Sequence, residues 1–86
     1  MENIKQLRKR IDELDEQILQ YLSKRAEICR SVGLVKKRHG IPTQDLPREN
    51  DVYAHIKEKA ANLGLDPTQV EAIYRQIVNM CSGVQE

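Results

Sequence analysis

Arg25 is a cation where the chain's pattern calls for an apolar side chain, and Lys36 shares its helix face. Apolar residues recur at Ile4, Leu7, Ile11, Leu14, Ile18 and Tyr21, then at Ile28, Val32 and Val35. The steps alternate between three and four, one position is skipped, and Arg25 sits near the gap. Burying a guanidinium there without a partner costs several kcal/mol. Lys36 follows eleven residues later. On a helix, eleven steps return to within ~20° of the same face, ~16 Å further along. Two cations therefore line one inward face, with Cys29 and Val32 between them.

Arg8 stands seventeen residues before Arg25, ~100° around the same helix. One straight rod cannot bring the two together. A second copy of the chain can supply Arg8 to a site built mainly by the first, which points to a composite, two-chain site.

The stretch HGIPTQDLPREN, residues 39–50, interrupts the helical pattern with Gly40, Pro42 and Pro47. It also carries Asp45, Arg48 and Glu49 where a helix restarts. A plain connector needs only turn residues, so these three charges call for a reason. Each charged residue has an ordinary structural reading as well. A charge on a seam fixes the register of paired helices, and Arg lifts its head to water along its stem. Lys36, Lys37 and Arg38 complement the negative end of a helix dipole. Asp45 and Glu49 suit a helix N-terminus.

The elements that carry these residues follow from periodicity. The seam predicts a first helix over about 3–38, stopped by Gly40 and Pro42. A second helix over about 47–63 begins near Pro47 and carries Val52, Ile56, Ala60 and Leu63, with Gly64 as its C-terminal cap. Asp66-Pro67 opens a third helix over about 67–84, carrying Val70, Ile73, Ile77, Met80 or Cys81, and Val84. No segment alternates like a strand, so the fold class is all-α, one domain over 1–86. The first helix runs ~50 Å, whereas a compact chain of this size has a radius of gyration near ~12 Å. The other two helices cannot cover its seam and flanks together. We expect an intertwined homodimer with the long helices paired and the short ones wrapped around them.

Composition narrows the function classes. The 86 residues contain no Trp, no Phe and three Tyr, so the core is aliphatic. Charged residues are 31% of the chain but the net charge is +1, which argues against nucleic-acid binding by bulk field. No apolar run approaches a membrane span, and MENIKQLRKR lacks the apolar stretch of a signal peptide. Cys29 and Cys81 form no CxxC. We read both as reduced core residues, and the compartment as cytoplasmic. Ser31, Ser82, His39 and His55 have no triad spacing, and no metal or cofactor is expected.

The segments LRKRIDELDEQILQYLSKR, VGLVK and DLPRE closely resemble the all-helical, AroQ-class chorismate mutases. The ordered pattern reads L-R-x-x-I-D-x-L-D, x-x-R, V-G-x-x-K, D-x-x-R-E, then a last helix ending in Gln, and it covers residues 7–85. The resemblance implies an isomerase of the shikimate pathway that converts chorismate to prephenate, a [3,3] rearrangement in phenylalanine and tyrosine biosynthesis. It implies an intertwined dimer with two sites, each completed by one Arg from the other chain, here Arg8. By the same resemblance Arg25, Arg8 and Arg48 hold carboxylates, Lys36 and Gln85 donate to the ether oxygen, and Asp45 and Glu49 face the hydroxyl side. The position four before Gln85 is usually Ser in the family and is Cys81 here, a weaker donor as a thiol.

The implied reaction explains the residue types. Chorismate is a dianion whose two carboxylates must be fixed in a folded geometry, and bidentate Arg does this with directional control. The ether C–O bond breaks ahead of C–C formation, so a donor fixed at that oxygen stabilises the transition state over the ground state. Isochorismate-pyruvate lyase is the alternative within the same fold, and a non-catalytic helical dimer serving as a regulatory domain is the alternative outside enzymology. The intact D-x-x-R-E favours the mutase. A non-catalytic role leaves Arg8, Lys36, Arg48 and Gln85 without a shared reason.

Overall fold

The computed structural model describes residues 3–85 as three helices: α1 (Ile4–Arg38), α2 (Leu46–Asn62) and α3 (Pro67–Gln85). No strand occurs among the described residues, and the fold is all-α. The domain expected over 1–86 runs beyond the described residues at both ends.

Local sequence sets each helix end. Asn3 Oδ1 accepts from the Gln6 N–H at 2.9 Å and Gln6 Oε1 accepts from the Asn3 N–H at 3.3 Å, a reciprocal capping box. At the other end of α1, Gly40 takes φ 65°. The Ile41 N–H returns to the Lys36 carbonyl at 2.8 Å and the Gly40 N–H to the Lys37 carbonyl at 3.4 Å. This Schellman closure turns the chain back beside Lys36. α2 begins one residue before Pro47, because Asp45 Oδ1 caps the Arg48 N–H at 3.1 Å. It ends in the same motif at Gly64, one residue short of Leu63. Asp66 Oδ1 accepts from the Thr68 N–H at 2.9 Å, and Pro67 is the first residue of α3.

α3 is the central element, packing on α1 and on α2. Cys29 meets Cys81, and one turn further along both helices Gly33 meets Gln85. α1 and α3 therefore run in the same direction, in a fixed register. On its other side α3 is latched to α2. Lys57 Nζ lies 2.9 Å from Glu71 Oε1, and the Arg75 guanidinium stands 4.5 Å over the Tyr53 ring.

The cysteines overturn one expectation. Cys29 and Cys81 are joined as a disulfide, and no free cysteine is present among the described residues. The reason is register. Facing positions on the two helices bring their Cα atoms to 5.4 Å, within disulfide reach. Sequence spacing alone carries no trace of that pairing.

The interior of one chain is small. Cys29, Tyr53, Ala60 and Val78 are its buried apolar residues. The molecule measures 58 × 23 × 15 Å with a radius of gyration of 16.2 Å, against the ~12 Å of a compact chain this long. The excess is the first half of α1, which projects bare. Its seam residues remain 40% (Leu7) to 68% (Tyr21) exposed. No helix among the described residues is long and apolar enough to cross a membrane.

Candidate active site

The second half of α1, the 39–45 turn, the start of α2 and the end of α3 enclose a cavity of about 400 Å³. Arg25, Lys36, Asp45, Arg48, Glu49, Cys81 and Gln85 all line it. Of the residues singled out from the sequence, only Arg8 lies elsewhere. It borders a shallow depression at the start of α1 with Asn3, Lys5 and Asp12. Seventeen residues of continuous helix place it ~25 Å along the axis from Arg25.

Lys36 is the most firmly held of the cations. Its ammonium donates to the Thr43 carbonyl at 2.7 Å and to Gln85 Oε1 at 2.9 Å. An ammonium has three N–H groups, so one is left for a ligand. The Schellman turn at Gly40 supplies Thr43, and the α1–α3 register supplies Gln85. Gln85 is 93% buried, counting from its 7% exposure, and it leaves no unpaired polar atom. Its Nε2 donates to Cys81 Sγ at 3.1 Å, which leaves the second N–H of the amide for a ligand. Arg25 Nη1 approaches Cys29 Sγ at 3.8 Å.

Cys81 occupies the wall without the donor role expected for it. A disulfide sulfur has no S–H, so Cys81 accepts from Gln85 and cannot donate to a carboxylate. Asp45 is committed by one oxygen to capping α2, so its structural reading is realised, and the residue also lines the cavity. Glu49 is half-buried in the first turn of α2, and Arg48 beside it is exposed at the cavity mouth. Three cations against two carboxylates leave the single-chain cavity with one net positive charge.

Three contributors carried no role in the sequence reading. Thr43 anchors Lys36 through its backbone carbonyl, which no side-chain pattern reveals. Ser82 also lines the cavity, although it lies ~100° around α3 from Cys81, because the cavity is wide enough to reach both faces. Gly33 lets α3 close on α1. A Cβ there would lie 2.8 Å from Gln85 Cα. Its signal was a glycine in mid-helix, where glycine is otherwise unfavourable.

Fold and cavity together define a small helical domain with three cations and two carboxylates gathered around one cavity. A family model for chorismate mutase type II matches residues 7–86, and the chain belongs to that family. The chain is 33% identical over its whole length to a bifunctional chorismate mutase/prephenate dehydratase of Aquifex aeolicus, of which it spans 25%. It is 36% identical to a T-protein of Enterobacter agglomerans over 84% of this chain and 19% of that one. A chorismate mutase of Methanocaldococcus jannaschii is 27% identical over all of this chain and 87% of its own length. The chain thus spans a quarter or less of the first two relatives. Among solved structures, a conserved hypothetical protein from Pyrococcus furiosus superposes with a TM-score of 0.77 at 31% identity, covering 96% of this chain and 95% of the other.

Proposed function

We propose that this chain is a chorismate mutase domain, residues 1–86, that isomerises chorismate to prephenate in aromatic amino acid biosynthesis. The observation that carries the reading is the Lys36–Gln85 pair, clamped at 2.9 Å inside the cavity with one N–H of each left over. Two donors converging from different helices suit an oxygen that gains charge as a bond breaks. Arg25 and Arg48 hold the carboxylates. Glu49 accepts from the substrate hydroxyl, with Asp45 beside it. The chain's residues act by positioning and by fixed charge. No side chain needs to exchange a proton with the substrate.

The site is completed by a second copy of the chain. Charge supports this, because a dianion exceeds the single net positive charge of the one-chain cavity, and Arg8 from a partner supplies the second. Exposure supports it too, since the bare half of α1 carries both the uncovered seam and Arg8. Pairing the two long helices covers that seam and brings each Arg8 towards the other chain's cavity. We place the activity in the cytoplasm on the strength of the family alone, because the paired cysteines remove the support drawn from free thiols.

The test is direct. Chorismate added to purified protein loses its ultraviolet absorbance as prephenate forms, and acid treatment converts that product to phenylpyruvate. Unchanged absorbance at micromolar enzyme refutes the proposal. Pyruvate and salicylate released from isochorismate transfer the chain to the lyase reading.

A further inference from the structure

The Cys29–Cys81 disulfide lies in the wall of the cavity and ties together the two helices that carry Lys36 and Gln85. Its place in the register is specific. It crosses from α1 to α3 one turn before Gly33 meets Gln85, and Cys81 Sγ itself accepts the Gln85 amide at 3.1 Å. Besides this bond, the end of α3 is tied to α1 by the Lys36–Gln85 hydrogen bond and the Gly33 contact, and the chain's buried apolar side chains are few. We propose that the Cys29–Cys81 bond is a positioning element for Gln85, and that the competence of the site depends on whether the bond is closed. The proposal rests on the mutase reading of the same site.

The two sulfurs differ in a way that suits a reversible bond. Cys29 is 6% exposed, whereas Cys81 is less deeply buried. An incoming thiolate therefore reaches Cys81 Sγ, and Cys29 Sγ leaves as a thiolate. The Arg25 guanidinium, 3.8 Å away, stabilises that leaving group. A dithiol reductant completes the step. It gives two electrons and two protons, the S–S bond opens to two S–H groups, and the reductant closes to its own disulfide. A small-molecule disulfide reverses the exchange. One cysteine thiolate attacks it and releases one small thiol, and the second cysteine then resolves the mixed disulfide and releases the other. On opening, the sulfur that received the Gln85 N–H becomes free to rotate away, and the end of α3 is held by the Gly33 contact and the Lys36–Gln85 hydrogen bond without a covalent tie. Arg25 and Arg48 stay on α1 and α2, so substrate binding is affected less than turnover.

The experiment compares one purified chain in two states, oxidised by glutathione disulfide and reduced by dithiothreitol, with free thiols counted by alkylation and mass spectrometry. Reduction is expected to lower kcat on the order of 10-fold with KM changed less than 3-fold, because positioning and not binding is lost. Amide exchange in residues 82–85 is expected to quicken by about 10-fold or more. Reoxidation restores both, and Cys29→Ala behaves as the reduced protein in either buffer. Equal kcat, KM and exchange in the two states overturns the proposal, as does a chain whose thiols stay unpaired under glutathione disulfide. Should neither state consume chorismate, the mutase reading fails, and exchange at residues 82–85 still decides whether the bond holds α3. If Cys29→Ala does not fold, the cycle of reduction and reoxidation on the native chain decides alone.

Discussion

A Cβ added to Gly33 would lie 2.8 Å from the Cα of Gln85 and 3.0 Å from its carbonyl oxygen. The contact is with backbone, so no rotamer change relieves it. In Gly33→Ala, α3 must move away from α1, and the movement falls on the residue that pairs with Lys36. We expect kcat to drop by more than 10-fold and stability to fall by about 1–3 kcal/mol, the usual range for an overpacked contact. Steady-state kinetics and thermal melts measure the two effects. Wild-type kcat in a folded Gly33→Ala protein would show that the close approach does not position Gln85.

Lys36 makes two hydrogen bonds in place and keeps one N–H for a ligand. Lys36→Ala removes that donor and also leaves Gln85 Oε1 without its partner. Turnover should fall on the order of 10²-fold or more, the cost of deleting one fixed donor at a developing negative charge. Lys36→Arg restores charge but not the compact fit between Thr43 and Gln85, so only part of the loss is recovered. A Lys36→Ala chain with rates near wild type would place the ether oxygen elsewhere.

Gln85 is an amide and donates without a proton from solvent. The rate should therefore stay nearly flat from about pH 6 to about pH 8. Gln85→Glu changes this. A carboxylate beside Lys36 donates only when protonated, so activity in that variant should survive only in acid. Matching pH–rate profiles for wild type and Gln85→Glu would remove Gln85 from the donor pair.

The helices were legible in the sequence because their signals are local. A seam at three- and four-residue steps marks α1, and Asp45, Gly64 and Asp66-Pro67 sit where caps belong. The cavity residues were legible for another reason. Arg25 breaks the seam pattern, Lys36 shares its face eleven residues on, and the ordered motif places Arg48, Glu49 and Gln85 with them. What stayed hidden depends on how helices meet. The Cys29–Cys81 bond and the role of Gly33 follow from α1 and α3 running parallel in one register, and the Thr43 carbonyl from how the chain folds back after Gly40. That register is a property of packing, and nothing in the spacing of Cys29 or Cys81 encodes it.

Glu71 links α2 to α3 and carries a pH signature. The Lys57 ammonium donates to its carboxylate at 2.9 Å, and this bond, with Arg75 nearby, holds the Glu71 carboxyl below its ordinary value. A depressed carboxyl stabilises the folded state above its unfolded pKa, and the contribution disappears as pH falls through the lower, folded value. Glu71→Gln should therefore melt slightly below wild type at neutral pH, and the gap should close in acid. A gap that is constant with pH would mean the pair adds nothing through charge.

Arg8 lies on the bare half of α1 and Arg25 on the half that builds the cavity, so separating the two by mutation tests whether one site draws on two chains. In Arg8→Ala every site of a homodimer lacks the crossing arginine. In Arg25→Ala every site lacks its own. When the two chains are unfolded together and refolded, random pairing makes about half the dimers mixed, and each mixed dimer holds one site with both arginines intact. The other site in that dimer lacks both. About a quarter of wild-type activity should then return from two nearly inactive parents. A cavity served by one chain alone makes the opposite forecast, because no mixture can then restore a site that neither parent possesses, and the activity would stay at the average of the two.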